Sequence, residues 1–453
     1  MLTAKNPSTG EIIAEYPTLN NTELHEHIGD AFRAADQWQA CSYEERAQTM
    51  RAVAAELRKQ KDHLAELMAI EMGKPIKEGG PEVEKAAGCA EYYAEHAAEH
   101  LAPQTLPSDA SISYVCHPPL GTLLGILPWN APLWLAFRYL APALMAGNTC
   151  VMKHDPNVPA CAAAIVKVFA DAGAPDNIVV NLPIANETIE TAIRDPRIAA
   201  VSFTGSGNAG RIVASIAGSE IKPTVLELGG SDPCIVLADA DLESAADVAT
   251  LSRMINAGQS CIAAKRIIVE DSVYDVFVEK LQSRMAKFTM GDPLLSDTDV
   301  GPIAREDLRQ NLHRQVTETI AAGATCLLGG ELSNDPGFFY PPTLLIDVTE
   351  GMCAFKEETF GPIMVVIRAA DVEEAVQLAN ETPYGLGAAV WSTNAEVATN
   401  IANRLEAGQV AINGIVKTDS RLPSGGIKGS GYGRELGPHG IREFVNSKQI
   451  WVK

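Results

Sequence analysis

One cysteine and one carboxylate have types and settings that suit covalent catalysis. Cys261 follows a run of small and polar residues, Asn-Ala-Gly-Gln-Ser at 256–260, and precedes a strand-like apolar run. This setting predicts a thiol on a loop between rigid elements, with a buried, inert cysteine as the alternative. Glu227 lies alone in Leu-Glu-Leu-Gly-Gly at 226–230. A thiol nucleophile and a carboxylate base suffice to form a thioester and then hydrolyse it.

These two segments, with further ones in the same order, resemble those of the aldehyde dehydrogenase superfamily. The further segments are Leu-Pro-Trp-Asn at 127–130, Phe-Thr-Gly-Ser at 203–206, Glu-Glu-Thr-Phe-Gly-Pro at 357–362 and Gly-Gly-Ile-Lys-Gly-Ser-Gly at 425–431. Each motif alone is weak, but their order over nearly the whole chain is highly specific. Leu-Gly-Gly-Ser-Asp-Pro at 228–233 and Gly-Arg-Glu-Leu-Gly at 433–437 are most similar to the short succinate-semialdehyde dehydrogenases.

The resemblance implies a reaction and roles for four residues. An aldehyde, succinic semialdehyde first, would be oxidised to the acid with NAD+ or NADP+. Cys261 would add to the carbonyl carbon, and Asn130 with the Cys261 backbone N–H would hold the oxyanion. Glu227 would activate the water that hydrolyses the thioester. Glu435 is a further candidate, for proton relay or for positioning.

A glycine-rich segment, Gly-Ser-Gly-Asn-Ala-Gly at 205–210, follows a strand-like run and opens a helical one. This context suits a pyrophosphate at a helix N-terminus, although a tight turn alone would also use glycine. A standard dinucleotide fingerprint would make Glu227 the ribose-binding acid, whereas the resemblance makes it the base. The resemblance implies the following cofactor-binding residues: Trp129, Lys153, Gly205, Ser206, Gly210, Leu228, Glu358 and Phe360.

The residues after Lys153 depart from the family pattern. The family often continues with Pro-Ala-Glu, and that Glu holds the ribose hydroxyls and disfavours a 2′-phosphate. This chain has Pro156 in place of the Glu. The departure predicts that both NAD+ and NADP+ are used.

The substrate clue is Arg138, which follows the apolar residues 133–137. An arginine near the nucleophile can form a bidentate pair with a carboxylate, and this one is similar to the arginine that succinate-semialdehyde dehydrogenases use for the acid of their substrate. A second arginine, present in some such enzymes, is replaced by Ile255. Arg253 and Arg421 are candidates to compensate for it.

Composition excludes several partners. The chain has 453 residues and a net charge of −21, which argues against nucleic acid and against anionic membrane surfaces. Its nine cysteines are scattered, with no spacing typical of a metal site, so no metal is expected. Reduced thiols and the lack of an apolar signal core predict a cytoplasmic enzyme whose partner is a small-molecule aldehyde.

Apolar periodicity predicts an α/β fold of the aldehyde dehydrogenase type, with two parallel-sheet domains and a small β element for oligomerisation. Residues 22–101 are predicted to be helical, and strands then alternate with helices. We expect a dinucleotide-binding domain at 1–99 and 120–228, a catalytic domain at 229–428, and an arm and tail at 100–119 and 429–453. The resemblance implies that arm and tail assemble a homodimer or homotetramer.

Three rival functions are weighed against this prediction. A CoA-acylating semialdehyde dehydrogenase would need no hydrolytic base, so Glu227 argues against it. A non-catalytic binding protein of the same fold would not need Cys261, Glu227 and Asn130 together. A thiol protease would need a histidine partner, and His154 and His439 lie in unrelated motifs.

Overall fold

The structure, a computed structural model, describes residues 1–332 and 336–453. Its chain begins with a hairpin of β1 (Leu2–Lys5) and β2 (Ile12–Tyr16). The predicted helical region is confirmed as four helices: α1 (Asn21–Ala40), α2 (Tyr43–Lys59), α3 (Lys61–Met72) and α4 (Ile76–His100). Within the described residues, no helix combines the length and apolar character needed to cross a bilayer.

Local signals explain where the first helices begin and which face they bury. Helix α2 begins with a capping box, because Ser42 accepts the N–H of Glu45 while the Glu45 carboxylate accepts the N–H of Ser42. Met50, Val53 and Leu57 recur at helical spacing and are fully buried. These side chains belong to the hydrophobic core, so they are not candidates for catalysis or binding.

The first large sheet is built from strands that alternate with helices, as predicted. After β3 (Gln104–Thr105) and β4 (Ile112–Cys116) come β5 (Thr122–Leu127), α5 (Pro132–Met145), β6 (Thr149–His154), α6 (Pro159–Asp171), β7 (Val179–Asn181), α7 (Ile189–Arg194), β8 (Ile198–Thr204), α8 (Gly207–Ser219) and β9 (Thr224–Glu227). Strands β9-β8-β5-β6-β7 pair in parallel. Because both faces of this sheet are buried, the sequences of its strands are continuous apolar runs.

The second large sheet follows the same alternation. Its elements are β10 (Asp232–Val236), α9 (Leu242–Met254), β11 (Ala264–Glu270), α10 (Tyr274–Met285), α11 (Glu306–Ala321), β12 (Thr325–Leu328), β13 (Thr343–Ile346), α12 (Cys353–Lys356), β14 (Ile363–Ala369), α13 (Val372–Asn380), β15 (Gly387–Trp391), α14 (Ala395–Arg404) and β16 (Gln409–Ile412). The strand order is β12-β13-β14-β11-β10-β15-β16, and only the β12 edge is antiparallel.

The carboxyl-terminal segment contributes to two sheets. Its elements are β17 (Gly431–Tyr432), α15 (Gly437–Arg442) and β18 (Lys448–Val452). Strand β17 adds to the first sheet, antiparallel to β9, whereas β18 pairs with β4 and completes the separate antiparallel sheet β18-β4-β3. Arm and tail therefore pair with each other, while the division into domains stays a prediction.

The two large sheets meet beside the predicted catalytic residues. Glu227 is the last residue of β9, and the chain enters β10 five residues later at Asp232. At this junction a Cβ on Gly230 would lie only 2.9 Å from the carbonyl oxygen of Cys261. Glycine at 230 therefore lets the loop that carries the thiol approach the chain segment that carries the carboxylate.

Candidate active site

The loop before Cys261 has an unusual backbone. Asn256, Ala257 and Gly258 are consecutive left-handed residues, with φ of 55°, 53° and 72°. Left-handed backbone costs a non-glycine residue on the order of 1 kcal/mol, so the surrounding contacts must hold this loop. At Gly258 a Cβ would lie 2.2 Å from the carbonyl oxygen of Gly361, so no other residue fits there. The loop thus displays Cys261 between α9 and β11, as predicted.

Side-chain amides tie Asn130 to the nucleophile loop. The Asn130 Nδ2 donates to the carbonyl oxygen of Gln259 at 3.0 Å, and the Asn256 Nδ2 donates to the carbonyl oxygen of Asn130 at 2.8 Å. Glu78 of α4 accepts the backbone N–H of Asn256 at 2.8 Å. The predicted oxyanion donor therefore lies against the loop that carries the thiol.

A buried lysine that the sequence reasoning missed supports the same loop. Lys265 Nζ donates to the carbonyl oxygens of Ser260 and Cys261 at 2.8 and 2.7 Å, and lies 3.4 Å from Glu358 Oε1. Lys265 is only 1% exposed and lies in β11, a strand that is buried except at its last residue. Two adjacent cations, Lys265 and Arg266, in a buried strand were the available signal, because buried charges need specific partners.

Four nearby charges act on the Cys261 thiol. Burial raises its pKa to about 11, the positive charges of Lys265 and Arg138 act to lower it, and Glu227 and Glu358 act to raise it. The thiol is therefore protonated at neutral pH. Its conversion to a thiolate requires a base or an additional positive charge beside it.

The predicted base Glu227 belongs to a buried cluster of two carboxylates and one guanidinium. Arg138 Nη2 lies 3.1 Å from Glu227 Oε2 and also pairs with Glu435. Burial raises the pKa of Glu227 to about 7, and the charge of Glu435 adds to this rise while Arg138 opposes it. The second oxygen, Glu227 Oε1, is buried and has no hydrogen-bond partner among the described residues. It can therefore accept a proton from a water molecule.

The three arginines considered for the substrate carboxylate have different surroundings. Arg138 is 3% exposed and already carries its two carboxylate partners. Arg253 is fully buried and donates to the carbonyl oxygens of Thr359, Gly361 and Ile363, so it cannot compensate for the missing arginine. The Arg421 side chain is 74% exposed and forms a bidentate pair with Asp419.

The predicted phosphate and ribose residues lie at the carboxyl ends of β6 and β8. Lys153 is 4% exposed and bonds to Asn186, and burial lowers its pKa. Ser206 caps α8 by accepting the N–H of Ala209. A Cβ on Gly210 would meet Leu228 at 2.5 Å, whereas one on Gly207 would find room. Gly210 thus permits close packing of α8 on the sheet, and Gly207 has no such role.

The predicted nicotinamide-ribose acid faces the nucleophile loop. Glu358 Oε1 accepts the N–H of Gly230 at 3.1 Å, and a Cβ on Gly229 would clash with Glu358 Oε2 at 2.2 Å. The neighbouring Glu357 is instead paired with Arg314 of α11 at 2.6 Å, which favours Glu358 over Glu357 as the acid that binds the nicotinamide ribose. The rings of Trp129 and Phe360 meet edge to face, with centroids 5.8 Å apart.

The described residues do not favour catalysis by a histidine or by a metal ion. Burial lowers the pKa of His154 to about 4, and its Nε2 faces the carbonyl oxygen of Pro132, so it is a neutral structural group. No group of three or more His, Cys, Asp or Glu residues in the described parts of the chain could hold a metal ion. The geometry suits nucleophilic addition by a thiol and later hydrolysis assisted by a carboxylate.

Comparison with known proteins gives consistent matches over the full length. The profile of the aldehyde dehydrogenase family matches residues 2–450. The chain is 45% identical over 447 residues to a probable succinate-semialdehyde dehydrogenase (NADP+) of Synechocystis sp., covering 99% of this chain and 98% of that protein. It is 45% identical over 452 residues to succinate-semialdehyde dehydrogenase (NADP+) 1 of Mycobacterium tuberculosis, with the same coverage. The succinic semialdehyde dehydrogenase of Streptococcus pyogenes in complex with NADP+ is structurally similar, with a TM-score of 0.97, 34% identity and 100% coverage of both chains.

Proposed function

Since this chain belongs to the aldehyde dehydrogenase family, we propose that it oxidises succinic semialdehyde to succinate with NADP+ or NAD+. The observation that carries the proposal is the juxtaposition of the Cys261 loop, tied to Asn130, with the buried Glu227 whose Oε1 is free to bind water. The names of the relatives supply the substrate and the cofactor.

The first step forms a carbon–sulfur bond at Cys261. The thiol sulfur adds to the aldehyde carbon and the thiol proton passes to water, so that Glu227 stays deprotonated for the later hydrolysis. The carbonyl oxygen becomes an oxyanion, which the Asn130 Nδ2 and the Cys261 backbone N–H would hold. The bond from Asn130 to Gln259 would then give way to the bond to the substrate oxygen.

The cofactor residues present fit a nicotinamide dinucleotide. The capped N-terminus of α8 suits a pyrophosphate, and the buried Lys153 and the partly exposed Glu358 suit the two riboses. A nicotinamide dinucleotide bound by these residues would supply the hydride acceptor for the two-electron oxidation, after which Cys261 would hold the substrate as a thioester. Lys265 would keep the Cys261 loop in register with Glu358 during this change.

Glu227 would complete the reaction by hydrolysis. Its carboxylate would take a proton from water, the hydroxide oxygen would bond to the thioester carbon, and the carbon–sulfur bond would break to release the acid and the thiolate. Arg138 and Glu435 would hold Glu227 in place. A CoA-acylating enzyme would have no use for this buried base.

Arg138 is proposed to favour an acidic substrate through its positive charge. It also neutralises the two buried carboxylates with which it pairs. Without Arg138, Glu227 and Glu435 would be two buried carboxylates with no cation between them, which is strongly unfavourable. Loss of Arg138 should therefore impair the oxidation of every aldehyde. The exposed, Asp419-paired Arg421 remains a weaker candidate for the substrate.

The arm and tail support a homodimer or homotetramer. On the sheet of β3, β4 and β18, Ile112, Trp451 and Val452 are 57%, 45% and 43% exposed. Apolar side chains on a sheet with free edges favour a partner, here a second copy of the chain. The nine free thiols support the cytoplasm as its location.

A spectrophotometric panel tests the proposed function. We expect succinic semialdehyde to support reduction of both cofactors without CoA, with a kcat/KM at least roughly 10-fold above that for butanal, because a charge-assisted contact contributes about 1.5 to 3 kcal/mol. Absorbance of the reduced nicotinamide is the measurement. A requirement for CoA, or equal rates with both aldehydes, would contradict the proposal.

The cofactor prediction is tested at Pro156, a partly exposed residue in the turn after β6. Pro156→Glu should lower kcat/KM for NADP+ by roughly 10- to 100-fold, because a carboxylate beside a 2′-phosphate repels it even with solvent screening. Activity with NAD+ should be maintained. The neutral variant Pro156→Gln is the control, and strict NAD+ dependence of the wild type would refute the inference.

A further inference from the structure

A lysine outside the predicted site joins α4, α5 and the loop at 417–424. Glu82 of α4 accepts the backbone N–H groups of Leu133 and Trp134 at 3.0 and 3.1 Å, which holds α4 against the first turn of α5. One turn further along α4, Lys85 Nζ lies 4.2 Å from the centroid of the Trp134 ring. The same Nζ donates to Thr418 Oγ1 at 2.7 Å. We call Lys85, Trp134, Arg138 and Thr418 the Lys85 cluster.

The Lys85 cluster is continuous with the proposed catalytic site. Trp134 and Arg138 are four residues apart in α5, so the helical repeat places them on one side of the helix, and Asn130 lies two residues before the helix begins. Along the chain, Trp134 therefore stands between the proposed oxyanion donor and the arginine that pairs with Glu227. The charge of Arg138 acts on both Lys85 and the Cys261 thiol.

Lys85 differs from the neighbouring arginines in having no carboxylate partner. Arg138 pairs with Glu227 and Glu435, and Arg421 pairs with Asp419. None of the ion pairs formed by residues 1–332 and 336–453 includes Lys85, although the side chain is accessible to solvent. An accessible ammonium beside a hydroxyl and an aromatic ring is equipped to bind an anion attached to a short apolar chain.

We propose that Lys85, together with Thr418, binds the terminal carboxylate of the aldehyde substrate and so selects aldehydes that carry an acid group. The inference rests on the proposed function and deepens it. Trp134 would contact the methylene groups between the carboxylate and the aldehyde carbon. Lys85 would thus supply the second cation that Ile255 does not.

Because the Lys85 ammonium titrates, the proposed role should depend on pH. Although Lys85 is accessible, the protein around it partly desolvates the ammonium and lowers its pKa to about 8; the charge of Arg138 also acts to lower the pKa, whereas Glu82, Cys89 and Asp419 act to raise it. The ammonium is therefore charged at pH 7 and largely neutral at pH 9. A preference that depends on it should be present below pH 8 and weaken above it.

Three variants test the proposal. Lys85→Met removes the charge and keeps the length, Lys85→Arg keeps a charge that does not titrate, and Lys167→Met removes a surface charge of α6 as a control. For Lys85→Met we expect kcat/KM for succinic semialdehyde to fall roughly 5- to 30-fold, mainly through KM, with butanal changed less than about twofold. Lys85→Arg should retain the preference at both pH 7 and pH 9, and Lys167→Met should match the wild type.

The outcomes separate this inference from the proposed function. If the wild type prefers succinic semialdehyde and Lys85→Met keeps that preference, the Lys85 assignment is wrong while the proposed function stands. Equal losses on both aldehydes would also overturn it, since they would indicate a structural role. If the wild type shows no preference at all, the proposed function fails and this inference fails with it. NADP+ affinity, measured by fluorescence titration, should be unchanged in each variant.

Discussion

Cys261→Ala should abolish aldehyde oxidation, lowering kcat by about 10⁴-fold or more while leaving cofactor affinity nearly unchanged. The expected loss is large because addition of sulfur to the carbonyl carbon precedes every later step. The alanine methyl group fits where the thiol was, and the loop is held by contacts of other residues. Lys265 still reaches the carbonyl oxygen of residue 261, and Asn256 still reaches Asn130.

The measurement is steady-state turnover together with a fluorescence titration of NADP+. Cys41→Ala is a suitable control, because Cys41 is a partly exposed thiol at the end of α1 that donates to the carbonyl oxygen of Gln37. The control should keep wild-type rates. Turnover by Cys261→Ala within about tenfold of the wild type would overturn the proposed mechanism.

Local patterns in the sequence were enough to predict the elements and the loops that carry the chemistry. Apolar residues at helical spacing predicted α1 to α4, and short apolar runs predicted strands such as β5 and β8. Both kinds of signal are local, because helix and strand periodicity depends on neighbours along the chain. Full-length resemblance then identified the segments that contain Cys261 and Glu227.

These local patterns could not predict contacts between segments that are distant along the chain. Arg138, Glu227 and Glu435 come from three separate parts of the chain, and nothing local to any of them indicates a shared buried cluster. The contacts of Lys85 could not be predicted for the same reason, because its partners Trp134 and Thr418 lie far from it along the chain. A charged residue on a helix usually faces solvent, so its functional meaning depends on what the fold places opposite it.

Glu227→Gln is expected to separate the two halves of the reaction. Glutamine keeps the shape and can still accept from Arg138, but it cannot take a proton from water. The thioester should therefore form and then persist, which predicts a burst of reduced cofactor close to one per active site. Steady turnover should fall by roughly 10²- to 10⁴-fold, the range for loss of a general base.

The pH profile and a matched variant decide between the roles open to Glu227. Because the base acts only when deprotonated, wild-type kcat should rise with pH through the pKa of about 7, and Glu227→Gln should lose this rise. Glu358→Gln should instead raise the KM for the cofactor. If Glu227→Gln also raised the cofactor KM with little change in kcat, Glu227 would be a ribose-binding acid. If the burst itself disappeared, Glu227 would be the base that first deprotonates Cys261, and hydrolysis would need a different base.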